Sequence, residues 1–179
     1  MAKQIWAFIA KMRGGKDTAG LYLQKHFGGK IVKFADPLYR MQEAICEIAG
    51  LPHDENTKHR GLLQYLGTEF GRAIDPDIWM NIMEKTMLTD PHEKLYITDV
   101  RFKNEFALMK KHNVITVKII RPDAERIKFG AANESHVSET SLDDIPDSEF
   151  TYVIHNDGTI GDFHRKLLQA YKRSAIDLF

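Results

Sequence analysis

Five short apolar runs punctuate the chain, at Gln4–Ile9, Lys30–Phe34, Leu95–Thr98, Val114–Ile120 and Tyr152–His155. Their length and their content of Ile, Val, Phe and Tyr predict strands. Amphipathic spacing predicts helices over Thr18–His26, Pro37–Ala49, His59–Ala73, Ile78–Leu88, Phe102–Lys111 and Ile160–Ser174. Gly28-Gly29 closes the first, Asp36-Pro37 opens the second, and Asp75-Pro76 and Asp90-Pro91 bracket the fourth. Strands separated by longer helical stretches predict an α/β fold with a mainly parallel sheet. The polar stretch Gly130–Glu149 fits neither period, and reads either as a solvated surface loop or as a mobile lid.

With 179 residues and 43% hydrophobic content, the chain is sized for a single domain with a proper core. Lys plus Arg and Asp plus Glu both number 25, which argues against a nucleic-acid partner or an anionic membrane surface. One cysteine, Cys46, excludes an internal disulfide and a cysteine zinc cluster and fits a reducing cytoplasm. The chain shows neither a signal-peptide pattern nor an apolar run long enough to span a bilayer, so a cytoplasmic protein without membrane contact is expected.

Chemistry concentrates first in Ala10-Lys11-Met12-Arg13-Gly14-Gly15-Lys16-Asp17-Thr18, between the first strand and the first helix. Strand, glycine turn and helix N-terminus aim backbone N–H groups at a polyphosphate, with Lys16 placed to bridge its outer phosphates. Two positions depart from the usual G-x-x-x-x-G-K-[ST]: Ala10 replaces the first Gly, and Asp17 the Ser or Thr that touches Mg²⁺. Asp17 reads as a helix cap, a Mg²⁺ ligand, or both, while Thr18 can offer its hydroxyl to a phosphate.

Other constellations follow. Asp99 ends the third strand and Arg101 comes just after it, at the sheet edge where α/β proteins bind ligands. Asp99 suits Mg²⁺ or the acceptor oxygen, and Arg101 a phosphate, against a plain capping Asp and a surface Arg paired with Glu105. Gly67 and Gly71 interrupt the third helical pattern and imply close approach of a ligand or another backbone, which makes Arg72 a candidate phosphate clamp. Trp79, Met80, Met83 and Met87 recur at core spacing, although Trp79 is also a candidate to stack on a base. Arg121 and Arg126 introduce the polar stretch, either as charge-neutralising lid cations or as a solvated basic face. Ser138 and Glu139 are nucleotide contacts or turn caps, and Asn156-Asp157-Gly158-Thr159 is a turn with a Thr cap and, secondarily, a wall for adenine.

These segments, in this order, resemble the bacteriophage-type deoxynucleoside monophosphate kinases, a branch of the P-loop kinases related in fold to adenylate and dephospho-coenzyme A kinases. The resemblance covers most of the chain and rests on Gly15–Thr18, Phe34–Leu38, Leu63–Arg72, Asp99–Glu105, His136–Glu139 and Asn156–Thr159. An Asp after the loop lysine is similar to this branch. It implies a three-layer α/β/α fold with a lid over roughly 121–149, binding ATP on the loop and a deoxynucleoside 5′-monophosphate (dNMP) across the cleft. By that resemblance Arg13, Gly14, Gly15, Lys16, Thr18, Asn156 and Gly158 would bind ATP, and Asp17 and Asp99 would attend Mg²⁺. Arg72 and Arg101 would hold the monophosphate, with Asp36, Arg40, Gln64, Trp79, Ser138 and Glu139 on the acceptor side and Arg121 and Arg126 in the lid. A kinase of the same fold acting on phosphomevalonate or dephospho-coenzyme A and a nucleotide-binding regulator without turnover are the alternatives, and the protein is expected as monomer or homodimer.

Overall fold

The computed structural model describes residues 3–52, 58–128 and 140–176. The chain divides into two compact units, one formed by Met1–Val32 with Pro91–Phe179 and the other by Lys33–Asp90.

The first unit is built on five parallel strands, β1 (Gln4–Ile9), β2 (Lys30–Val32), β3 (Lys94–Ile97), β4 (Ile115–Ile120) and β5 (Tyr152–His155), in the order β2-β3-β1-β4-β5. β1 is central, and Trp6, Ala7 and Phe8 are wholly shielded from solvent. Alternate positions sort the side chains by face. Trp6 and Phe8 of β1, Val117 and Ile119 of β4 and Ile154 of β5 pack with Ala19 and Leu23 of α1 (Lys16–Phe27) and with Phe163 and Leu167 of the C-terminal helix, Ile160–Ile176. Ala7, Leu95 and Ile97 point the other way and are equally sealed, as expected of a parallel sheet covered on both faces. Trp6 stacks on Tyr171, 5.7 Å between centroids, and Tyr171 on Phe27 at 3.8 Å, which locks the C-terminal helix to α1.

Strand order fixes where a ligand can sit. The chain leaves β1 for β2 and β3 on one side and later for β4 and β5 on the other, so β1 is the topological switch point. The crevice beyond its carboxyl end is where open α/β sheets bind.

The second unit is helical: α2 (Asp36–Ala49), α3 (Arg60–Gln64), a π-helical stretch Tyr65–Arg72 and α4 (Ile78–Thr89). The helix expected over His59–Ala73 is present as one continuous stretch whose second half, Tyr65–Arg72, is wound as a π-helix where Trp79 packs. An added Cβ on Gly71 would stand 2.2 Å from the Trp79 ring, so only glycine admits the indole there. The widened turn exposes the Gly67 carbonyl, which accepts the indole N–H at 2.9 Å. The close approach that the two glycines announce is that of a tryptophan, with Leu38 leaning on Gly67.

After β4 the first unit departs furthest from expectation. Asp123–Lys128 forms a helix, α6, after α5 (Lys103–Lys111), and the C-terminal helix is thus α7. The described half of Gly130–Glu149 is made mostly of exposed turns, as the surface-loop reading has it, and it is held in place by ion pairs. Thr140–Glu149 is fastened by Asp143 to Lys11 (3.0 Å), Asp144 to Lys103 (2.5 Å), Asp147 to Lys118 (2.8 Å) and Glu149 to Lys110 (3.4 Å). Leu142 and Phe150 are buried beneath it.

Candidate active site

Loop Ala10–Gly15 turns from the central strand into α1. A tight turn closes with the Gly14 N–H on the Lys11 carbonyl at 2.9 Å, and Arg13 (φ 60) and Gly15 (φ 112) take left-handed backbone. Ala10 keeps an ordinary φ, so alanine is tolerated where glycine is usual. Its methyl fills the space beside Gly14, where an added Cβ would come within 2.6 Å, so the glycine need has moved to Gly14.

Five successive loop carbonyls face side-chain donors. The Lys16 ammonium donates to Ala10 (2.5 Å) and Lys11 (3.3 Å), the Arg126 guanidinium to Met12 (3.3 Å), Arg121 to Arg13 (3.3 Å) and the Asn156 amide to Gly14 (3.0 Å). A carbonyl held on one side of its peptide unit sends the following N–H to the other, which for the Arg13 and Gly15 N–H groups is the geometry of an anion nest.

A cavity of 630 Å³ opens there, lined by Arg13, Gly14, Gly15, Lys16, Asp17 and Thr18 with Arg121, Glu125, Asn156, Gly158 and Ile160. The seven residues expected to bind ATP all lie along it, together with Asp17. Asp17 accepts from the Thr98 hydroxyl at 3.2 Å, tying the start of α1 to the segment that carries Asp99. Among the described residues no three His, Cys, Asp or Glu side chains gather as a metal cage. Asp17, exposed on the cavity wall, and half-buried Asp99 are hard oxygen donors of the kind that hold Mg²⁺ together with phosphate oxygens and water, so the residues present fit that ion.

A second cavity of 260 Å³ lies on the other flank of the loop and shares Gly14 and Arg121 with the first. Lys11, Arg101, Lys118, Arg121 and Arg126 line it against two carboxylates, Asp123 and Asp143, leaving net positive charge. Arg101 is set by Glu105. This carboxylate, 4% exposed, accepts the N–H of Arg101 at 2.8 Å and of Phe102 at 3.1 Å. It thus supports the backbone of the loop after β3, beyond any pairing with the Arg101 side chain.

Other expected residues are placed differently. Arg126 is 1% exposed and forks onto Asp123, with one contact of 2.6 Å, so it is a buried anchor and not a lid cation open to substrate. Its guanidinium holds the Asp123 carboxyl below the usual range. Trp79 is a core residue, 5% exposed and with its N–H committed to Gly67, and offers no ring face for stacking. Asp36 accepts the Lys33 N–H at 2.7 Å at the start of α2, Arg40 and Gln64 are exposed, and Arg72 ends the π-helical stretch. These belong to the second unit. Ser138 and Glu139 lie outside the described residues. Thr159 is a cap as expected: its hydroxyl and N–H meet Asp162 at 2.7 and 3.1 Å, and the Asp162 N–H returns to its hydroxyl at 3.1 Å. These bonds, and the Arg165 guanidinium beyond them, lower the Asp162 carboxyl from 3.8 to about 2.

Lys11, Lys118, Glu125 and Ile160 were not anticipated as lining residues. Lys118 left a signal, being the lone charge within an otherwise apolar strand.

Sheet order, loop and twin cavities define a P-loop kinase. A gluconokinase from Sinorhizobium meliloti 1021 shares the fold with a TM-score of 0.58 over 98% of this chain and 95% of its own, at 14% identity. The deoxynucleotide monophosphate kinase family model matches residues 39–167, and the chain belongs to that family. It is similar to a putative deoxynucleotide monophosphate kinase of Acanthamoeba polyphaga mimivirus, 29% identical over 86% of this chain and 89% of that one. The deoxynucleoside-5′-monophosphate kinase of Escherichia phage T5 is 42% identical over 55 residues, 30% of this chain and 22% of its own. The protein is accordingly a phosphotransferase of nucleotides. Among the described residues no helix is long and apolar enough to cross a membrane.

Proposed function

We propose that the chain transfers the γ-phosphoryl group of ATP to the 5′-phosphate of a deoxynucleoside monophosphate, giving ADP and the diphosphate. The observation that carries the reading is the pair of cavities on either flank of the phosphate loop, joined at Gly14 and Arg121. The triphosphate lies along the larger one, on the loop N–H groups and Lys16, with Gly158 and Ile160 toward the base. The acceptor phosphate enters the smaller, held by Arg101 and Lys11.

An acceptor phosphate oxygen is already ionised near neutral pH and attacks the γ-phosphorus while the bond to the β-γ bridging oxygen breaks, so no strong general base is needed. Alignment and charge make up the catalytic task. Lys16 and Arg121 neutralise the migrating group, the latter from the wall common to both cavities. Asp17 and Asp99 would hold Mg²⁺, which would neutralise phosphate charge when bound. Incubation with Mg-ATP and each of dAMP, dCMP, dGMP and dTMP, with phosphomevalonate and dephospho-coenzyme A as controls, tests the reading by ADP release. Turnover with one or more dNMPs and not with the controls is expected; release with a control alone moves the acceptor class, and none with any acceptor refutes it.

A further inference from the structure

Asn156 follows β5 directly, in a segment read first as a turn and secondarily as a wall for adenine, and its side-chain amide is bonded to the phosphate loop. The residue is 8% exposed, its amide N–H₂ donates to the Gly14 carbonyl at 3.0 Å, and its backbone N–H donates to Ile120 at 2.8 Å. It joins the ends of β4 and β5 to the loop across 142 residues of sequence. Gly15 shares the arrangement, since an added Cβ there would lie 2.8 Å from the Asn156 amide nitrogen. The Arg126 guanidinium does the same two carbonyls earlier, at Met12, from a wholly buried position.

We propose that Asn156 and Arg126 are positioning residues that act through the phosphate loop, holding the Met12 and Gly14 carbonyls so that the N–H groups of the same peptide units, those of Arg13 and Gly15, meet the triphosphate. The proposal rests on the larger cavity being the ATP site. A peptide unit that loses its outward partner can rotate, which turns a carbonyl toward the anion in place of an N–H. Asn156 therefore supports the phosphates and makes no contact specific to the base, and Arg126 contributes without touching substrate.

Magnesium tripolyphosphate separates the two roles because it carries no base. Calorimetric binding of Mg-ATP and of magnesium tripolyphosphate to the wild type, Asn156→Ala, Asn156→Asp and Arg126→Lys proteins, each checked by circular dichroism, is the test. Asn156→Ala is expected to weaken both ligands by the same factor, roughly tenfold, the range of one lost hydrogen bond to a charged site. Asn156→Asp, which faces the Gly14 carbonyl with a second acceptor, should weaken both further. Arg126→Lys keeps the charge but not the fork and should weaken both ligands severalfold. In turnover of the Asn156 variants the KM for ATP should rise while that for the acceptor stays. Loss confined to ATP would make Asn156 a base contact and overturn the proposal, as would unchanged binding of both ligands in a folded Asn156→Ala protein. Tripolyphosphate binding needs no acceptor, so failure of the dNMP reading would leave this outcome legible.

Discussion

The phosphate loop and the segment that follows β4 are both rich in charged groups, four in Ala10–Thr18 and eleven in Arg121–Glu149, and they use them in opposite ways. In Ala10–Thr18 the charges and amides are organised around a cavity, and the side chains that face the loop from outside complete it. In Arg121–Glu149 most described charges are spent within the protein: Arg126 on Asp123, Lys128 on Glu125, and Asp143, Asp144, Asp147 and Glu149 on four different lysines. Arg121 alone of the two expected lid arginines lines both cavities. A basic cluster is therefore evidence of ion pairs first, and of ligand contact only where the geometry opens it to a cavity.

The contrast can be broken by mutation, and the largest effect should fall in the loop. Lys16→Met is expected to lower kcat by about a hundredfold to a thousandfold with the fold intact, as loss of one preorganised charge at a transferring phosphoryl does; steady-state ADP release measures it. Arg126→Met should act on stability as well as on the loop. Removing this buried guanidinium takes a donor from the Met12 carbonyl and the fork from Asp123 and should cost about 1–3 kcal/mol, seen as a lower urea midpoint. Asp143→Asn removes a half-exposed pair with Lys11 and should change stability by less than about 1 kcal/mol, since such pairs are well screened. If it destabilises as much as Arg126→Met, the distinction between buried anchor and surface fastening fails.

The smallest effect is a matter of pH. Asp162 is depressed from 3.8 to about 2 by the Thr159 hydroxyl and N–H and by Arg165, so its contribution to stability is full above 3.8 and disappears as pH falls through about 2. The stability difference between wild type and Asp162→Asn should therefore shrink between those two pH values and hold constant above them. Urea melts across that acid range measure it, and a constant difference throughout would remove the cap from the account of α7.

Much of the fold was legible because its signals are local. Apolar runs fixed the five strands to within two residues at each end, and the loop motif is contiguous, so Arg13–Thr18 could be assigned to one site before any coordinates. What escaped depends on partners far along the chain or on spacing passed over. The role of Asn156 is set by Gly14, and the π-helical winding around Gly67 and Gly71 goes with the ring of Trp79. Helix α6 did leave a trace, with Pro122 before it and the pairs Asp123–Arg126 and Glu125–Lys128 at i,i+3. Reading those arginines as free cations hid the helix that buries one of them.

The central claim, that a triphosphate on the loop passes its terminal phosphoryl group to a monophosphate on the loop's other flank, is tested most directly by following the label from γ-³²P-ATP. With Mg²⁺ and a mixture of the four dNMPs, the label should appear in a deoxynucleoside diphosphate, and Lys16→Met should suppress it. Label that stays in ATP, or emerges only as inorganic phosphate at the same rate with and without dNMP, would contradict the account.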